Sequence, residues 1–143
     1  VLEFIQSELK KININLKIEI TPPSILRQGK ANGKYNFFRA SWIADYPNPE
    51  NYFDLFYSKN KTPNGPNYTY FMNKKYDSVY DNLKDKKSNI EKSFEILENI
   101  IYDFSPIIPL YYDMSIRLID NDIIGMSNNA INMLNLEGVE KLW

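Results

Sequence analysis

The apolar spacing changes period at residue 12, and that change does most to limit the folds open to this chain. Before it, Leu2, Ile5 and Leu9 recur at intervals of three and four, with Glu3, Glu8, Lys10 and Lys11 between them. That is the period of an amphipathic helix. After it, Ile12, Ile14, Leu16, Ile18 and Ile20 alternate with Asn13, Asn15, Lys17 and Glu19, as in a strand with one apolar and one polar face. Thr21-Pro22-Pro23 then reads as a helix start, with Thr21 capping and proline tolerated in the first turn. This helix should run to Lys30 and end at the Asn32-Gly33 turn. Residues 35–43, with Tyr35, Phe37, Phe38 and Trp42, read as a second strand. Strand, helix and strand in about 30 residues is a βαβ unit, which implies parallel strands and a right-handed crossover. The expected class is α/β.

Loop chemistry follows at Asp45-Tyr46-Pro47-Asn48-Pro49, then a short helix over 50–57. Residues 58–70, with Thr62-Pro63-Asn64-Gly65-Pro66, read as a surface loop. A helix is expected over 73–87, with Tyr76, Val79, Tyr80 and Leu83 on one face. Ser88 with Glu91 three residues later reads as a capping box for a second helix. Its apolar stripe is Ile90, Phe94, Leu97, Ile101 and Phe104, and Ser105-Pro106 ends it. Residues 107–112 then read as an extended, buried segment continued by 115–119, and the remainder yields only short strand-like pieces at 123–125 and 133–136. No run approaches the ~18 apolar residues of a membrane span.

At 143 residues the chain has the length of one ordinary domain. It contains no Cys and no His, which excludes thiol nucleophiles, disulfides, histidine-based triads and nearly every zinc site. With 17 basic and 18 acidic side chains the net charge is −1. The counterion displacement that drives non-specific nucleic-acid binding needs a basic excess that this chain lacks. Val1 falls inside an apolar periodic run, so the chain is expected to be a piece of something larger, and the missing leader is uninformative.

In an open α/β sheet, ligands bind at the loops after the carboxyl ends of the strands. Asp45 lies just past the second strand, in a loop stiffened by two prolines, and Trp42 brings a flat apolar surface beside it. Arg39, six residues before Asp45, shares its strand parity. A cation and an anion beside an aromatic would suit a zwitterionic ligand. Each residue also admits a plainer role: Asp45 as a turn cap, Trp42 as core, Arg39 as a surface or salt-bridge residue. Tyr111 and Tyr112 could equally pack against a neighbouring lobe.

Residues 39–56, Arg-Ala-Ser-Trp-Ile-Ala-Asp-Tyr-Pro-Asn-Pro-Glu-Asn-Tyr-Phe-Asp-Leu-Phe, resemble the family 5 extracellular solute-binding proteins of peptide ABC importers. Those proteins carry a similar aromatic-x-x-Asp-Tyr-x-x-Pro element. Lys75-Tyr76-Asp77, the segment 106–112 and Arg117-Leu118 follow in the family's order and at similar spacing. The resemblance covers nearly the whole chain. It implies the C-terminal lobe of a two-lobed, periplasmic-binding-protein type II-like fold that closes over its ligand by hinge motion. In that fold the βαβ unit is joined by two further helices and a strand crossing back to the other lobe. Residues 1–108 would be the C-terminal part of the second lobe, 109–118 the hinge-crossing strand, and 119–143 the closing segment of the first lobe, whose remainder is absent.

Carried over residue by residue, Asp45 matches the aspartate that pairs with the α-amino group of a bound peptide. Trp42 matches a residue beside the ligand, and the backbone of Ile43 and Ala44 would run along the peptide like an added strand. Arg39 matches a position near the ligand carboxylate in some oligopeptide binders, and Tyr111 and Tyr112 match aromatics near the cleft. Ser41 stands where the family often has Gly, and Asp113 where it often has an apolar or aromatic residue. The resemblance implies an extracytoplasmic protein that binds peptide without catalysis, cofactor or metal. Its partners would be permease subunits, with no nucleic acid and no membrane association beyond the transporter or a lipid anchor outside this chain. Two rivals stand beside it. One is the same fold tuned to nickel, a sugar or another solute. The other is a small hydrolase with paired carboxylates such as Asp45 and Glu50, which needs the two about 5 to 10 Å apart.

Overall fold

A computed structural model of the chain describes residues 1–85, 89–114, 116–129 and 132–142. Contacts divide the chain into two compact units, Val1–Asn36 and Phe37–Trp143.

The first unit holds two helices. The three-and-four spacing of Leu2, Ile5 and Leu9 forms α1, Leu2–Lys11, with Glu3 in the first turn and Lys10 and Lys11 in the last, each sign favoured by the helix dipole. None of its residues is fully buried. The chain reverses at Asn13, whose φ of 62° is a conformation that asparagine tolerates better than most residues, and Gln6 Nε2 donates to the Leu16 carbonyl at 2.6 Å. Helix α2, Pro23–Ala31, begins with proline in its first turn. Its N-cap is Pro22, not Thr21, and no side chain caps it, so the expected threonine cap is replaced by a proline pre-set for helix entry. It ends at Asn32, with Gly33 at φ 64°, as the Asn-Gly turn predicts. Gly29 is the one buried residue of α2, because a Cβ there would lie 2.2 Å from the Tyr35 ring.

The second unit holds the core. Helix α3, Glu50–Phe53, runs into two 3-10 turns, Asp54–Phe56 and Ser58–Asn60. Helices α4, Lys74–Lys84, and α5, Ile90–Phe104, pack together. Phe53, Phe56, Tyr57, Phe71, Tyr76, Tyr80, Leu83, Leu97 and Ile100 are buried as one cluster. Its rings meet edge-on or offset: Phe71 and Tyr76 at 5.6 Å and 87°, Phe53 and Phe94 stacked at 5.1 Å. Such pairs add about 0.5–1.5 kcal/mol each beyond area burial. In α4 the face expected from the sequence is the buried one, with Tyr76, Tyr80 and Leu83 inside and Val79 at the edge. In α5 the buried residues are Ser93, Leu97 and Ile100, whereas Ile90 and Phe104, the ends of the expected stripe, are exposed. Phe104 nevertheless meets Phe71 edge-on at 5.9 Å.

Several expectations require correction. Residues 12–20 and 35–43 form no ladder, so of the βαβ unit only the helix is present among the described residues. A strand exists by hydrogen bonding to a neighbour, and alternation alone cannot supply one. The described strands are β1, Ile123–Ile124, and β2, Glu140–Lys141, paired antiparallel with Ile123 opposite Lys141. The first falls within the expected 123–125 piece; residues 133–136 take no part, and β2 lies nearer the C-terminus. Gly125 lets this pair close, since a Cβ there would lie 2.0 Å from the Gly138 carbonyl oxygen. The segment 107–112 is exposed rather than buried, with Ile108 67% and Tyr112 98% accessible, because no described element covers it. Residues 58–70 are not simply a surface loop, since Thr62 and Asn67 are buried within them. Helix α5 is capped by Asn89, whose side chain accepts from the Lys92 N–H; the capping box expected on Ser88 lies outside the described residues.

Candidate functional site

The segment 39–45 leads into a loop whose own side chains fold it. Asn48 accepts the Glu50 N–H on Oδ1 at 3.0 Å, and the Asn51 N–H returns to the Asn48 carbonyl at 3.1 Å. Starting α3 in this way carries Asn51 inward, where it is 3% exposed. From there its Oδ1 accepts the Trp42 Nε1–H at 2.7 Å and the Asp45 backbone N–H at 3.3 Å. One buried carbonyl oxygen, with its two lone pairs, thus ties the indole to the backbone of the aspartate. Trp42 is half-buried, while the Asp45 side chain is exposed and forms no ion pair with another described residue.

Arg39 Nη2 donates to the Tyr111 hydroxyl at 2.8 Å, joining segments 72 positions apart. The expected site residues therefore appear in two groups, Arg39 with Tyr111 and Trp42 with Asp45. Ile43 and Ala44 lie between Trp42 and Asp45 in sequence; Ile43 is 75% exposed and Ala44 half-buried. Tyr112 projects into solvent. Asn51 was not anticipated as a site residue. Its only sequence signal is its place one turn beyond the Pro-Asn-Pro run.

A second polar cluster borders the core. Tyr80 donates to Asp54 at 2.5 Å, Tyr57 donates to Asp81, and the ammonium groups of Lys84 and Lys59 lie 3.5 and 3.3 Å from Asp54 and Asp81. Burial, then the bond to Asp54, pushes the Tyr80 hydroxyl well above its ordinary value, and burial does the same for Tyr76. The bond from Tyr57 holds Asp81 below the usual carboxylate range, outweighing desolvation. These groups satisfy one another and leave no reactive group open.

Each unit has an open concavity lined by its own residues. One of about 220 Å³ is lined by residues of α4 and α5 together with Asn89, and one of about 400 Å³ by α1 residues with Asn15. Neither is lined by a residue that the sequence marks as a candidate site residue. Among the described residues no cluster of three or more His, Cys, Asp or Glu is arranged to hold a metal ion, and no helix is long and apolar enough to cross a membrane.

Residues 1–64 match the family model described as bacterial extracellular solute-binding proteins, family 5 Middle. The chain is also similar to a dipeptide-binding protein, DppE, of Bacillus subtilis (strain 168), at 23% identity over 145 residues. That alignment takes in 99% of this chain and 26% of the relative, so the chain spans about a quarter of the relative's length. Both matches bear out the resemblance carried by residues 39–56, and the chain is consistent with a piece of a family 5 solute-binding protein.

Proposed function

From that family likeness, we propose that the chain supplies part of a solute-binding cleft serving an ABC importer, with a peptide as the solute. It binds without catalysis and works outside the cytoplasm, delivering its ligand to permease subunits. In this reading residues 1–108 belong to the ligand-binding second lobe, 109–118 cross the hinge, and 119–143 return to the first lobe. The peptide α-amino group pairs with Asp45, its backbone runs beside Ile43 and Ala44, and Trp42 offers an apolar wall. Arg39, Tyr111 and Tyr112 complete the margin.

One observation carries the amine assignment. Asp45 presents an exposed carboxylate that makes no ion pair with another described residue, on a backbone fixed beside Trp42 by a buried acceptor. A carboxylate free of internal partners remains available to an incoming ammonium, and closure of the first lobe over it would strengthen the pair by removing water. The likeness to a protein described as dipeptide-binding supports a peptide over other solutes.

Calorimetric titration of the full protein carrying this chain tests the reading. Asp45→Asn should weaken binding of dipeptides with a free amino terminus by about 2–5 kcal/mol, the loss expected when one partner of a desolvated charge pair is truncated. Equal binding of free and N-acetylated dipeptides by the wild type would remove the amine-capture role.

A further inference from the structure

We infer that Asn51 is the positioning residue of this site, fixing the Trp42 ring and the Asp45 backbone through a single side-chain oxygen. The inference rests on the reading of Asp45 and Trp42 as ligand-contacting groups, and it assigns to Asn51 a role without ligand contact. Asn51 is 3% exposed, yet its Oδ1 receives two donors from a segment that is itself largely exposed. Trp42 Nε1–H is a donor with no second bonding mode, so its partner sets the rotation of the indole. The Asp45 N–H, bound to the same oxygen, fixes where its Cα sits and hence the origin of the carboxylate. A ligand held between ring and carboxylate meets a preset spacing and does not bear the cost of ordering it.

Among the described residues no other hydrogen bond ties residues 42–45 to the core side of the loop. Ile43 is 75% exposed, and the Asp45 side chain makes no ion pair with another described residue. Asn51 is held in turn by its place in α3, where its own N–H is bound to the Asn48 carbonyl at 3.1 Å. The direction of control is from a helical residue in the core toward an exposed binding segment.

The test uses the full protein with 15N-labelled tryptophan, the Trp42 indole resonance being assigned by its loss in Trp42→Phe. Asn51→Leu removes the acceptor and should move that resonance upfield, toward an unbonded N–H. Asn51→Asp keeps an acceptor, now charged, and should move it downfield while restoring slow exchange of the Asp45 amide. If Asn51→Leu does not fold, Asn51→Asp decides alone, since a bonded indole must respond to a carboxylate acceptor. An indole resonance unchanged by either substitution overturns the inference. With Ala-Ala and N-acetyl-Ala-Ala as probes, Asn51→Leu should lower affinity for the free dipeptide about tenfold or more, a loss of the size expected when a buried polar contact is broken. Asn51→Asp should recover most of that affinity. If Asp45→Asn leaves the preference for the free amine intact, the amine-capture reading fails, while the indole resonance still judges Asn51 separately.

Discussion

Asn67 shows how one fully buried amide can organise a polar stretch. Its Nδ2 donates to the carbonyls of Tyr57 at 3.2 Å and Phe71 at 2.9 Å, and its Oδ1 accepts from the Thr69 hydroxyl at 2.9 Å. Its backbone N–H reaches the Asn60 carbonyl at 2.9 Å. The side chain thus clamps Tyr57 and Phe71, two members of the aromatic core, from behind. Replacing it by alanine strands two buried carbonyls and a hydroxyl, at an expected cost of about 3 kcal/mol in urea unfolding. Asn67→Asp should cost at least as much, since a carboxylate would face two carbonyl oxygens with no N–H to offer. A loss below about 1 kcal/mol for the alanine variant would show that water replaces the amide. Neither Asn67 nor Asn51 stands out in the sequence. Both sit in polar, proline-rich stretches whose local chemistry predicts exposure, and their burial is decided by aromatic residues that they meet only in the folded chain. Trp42, Asp45 and Arg39 could be singled out because their side chains advertise chemistry, whereas the asparagine that positions two of them does not.

Among the elements, the helices were legible and the strands were not, for one physical reason. A helix closes its hydrogen bonds within itself, so local spacing and capping suffice to mark it. Asn73 illustrates this: its Oδ1 accepts the N–H groups of Lys75 at 2.9 Å and Tyr76 at 3.0 Å, satisfying two donors in the first turn of α4. A strand closes its bonds with another segment, and the five alternating apolar residues from Ile12 to Ile20 have no paired neighbour among those described. The exposed run at 107–112 follows the same rule, since its apolar content alone names no segment that would cover it. Two element-scale substitutions have definite expected costs. Asn73→Ala should destabilise by about 1 kcal/mol, while Asn73→Asp, with its charge toward the positive end of the helix, should be neutral or slightly stabilising. Leu97, fully buried where α5 meets α4, should cost about 2–5 kcal/mol as alanine. Thermal melts of the three variants rank these effects. Equal losses for Leu97→Ala and Asn73→Ala would mean that the α4–α5 contact is not the main support of the unit.

At the scale of the whole molecule the apolar core is unevenly placed. Among the described residues all nine of its members fall in the unit Phe37–Trp143, and six are tyrosine or phenylalanine, from α3 and the turns after it, from α4 and from the segment just before α4. A core so rich in tyrosine ties stability to alkaline rather than neutral pH. Tyr76 donates to the Phe53 carbonyl at 2.8 Å and Tyr80 to Asp54 at 2.5 Å, and both are fully buried. Burial and the neighbouring carboxylates raise both hydroxyls above the ordinary value of 10.0. A group whose folded value is raised contributes stability that is complete below its unfolded value and is lost as pH climbs toward the folded one. Above pH 10 the unfolded chain releases protons that the folded core retains, so stability should fall by up to about 1.4 kcal/mol per pH unit for each of the two residues. Acid acts in the opposite sense at Asp81, whose depressed value makes its contribution present above the usual carboxylate range and lost as pH drops through the folded one. Urea unfolding followed by circular dichroism from pH 7 to 12 should give a flat profile to about pH 10 and then a decline. Tyr76→Phe with Tyr80→Phe should lower stability at pH 7, since the buried Phe53 carbonyl and the part-buried Asp54 carboxylate each lose a donor, yet flatten the alkaline limb. A double variant that declines as steeply as the wild type would place the alkaline transition elsewhere than in these two hydroxyls.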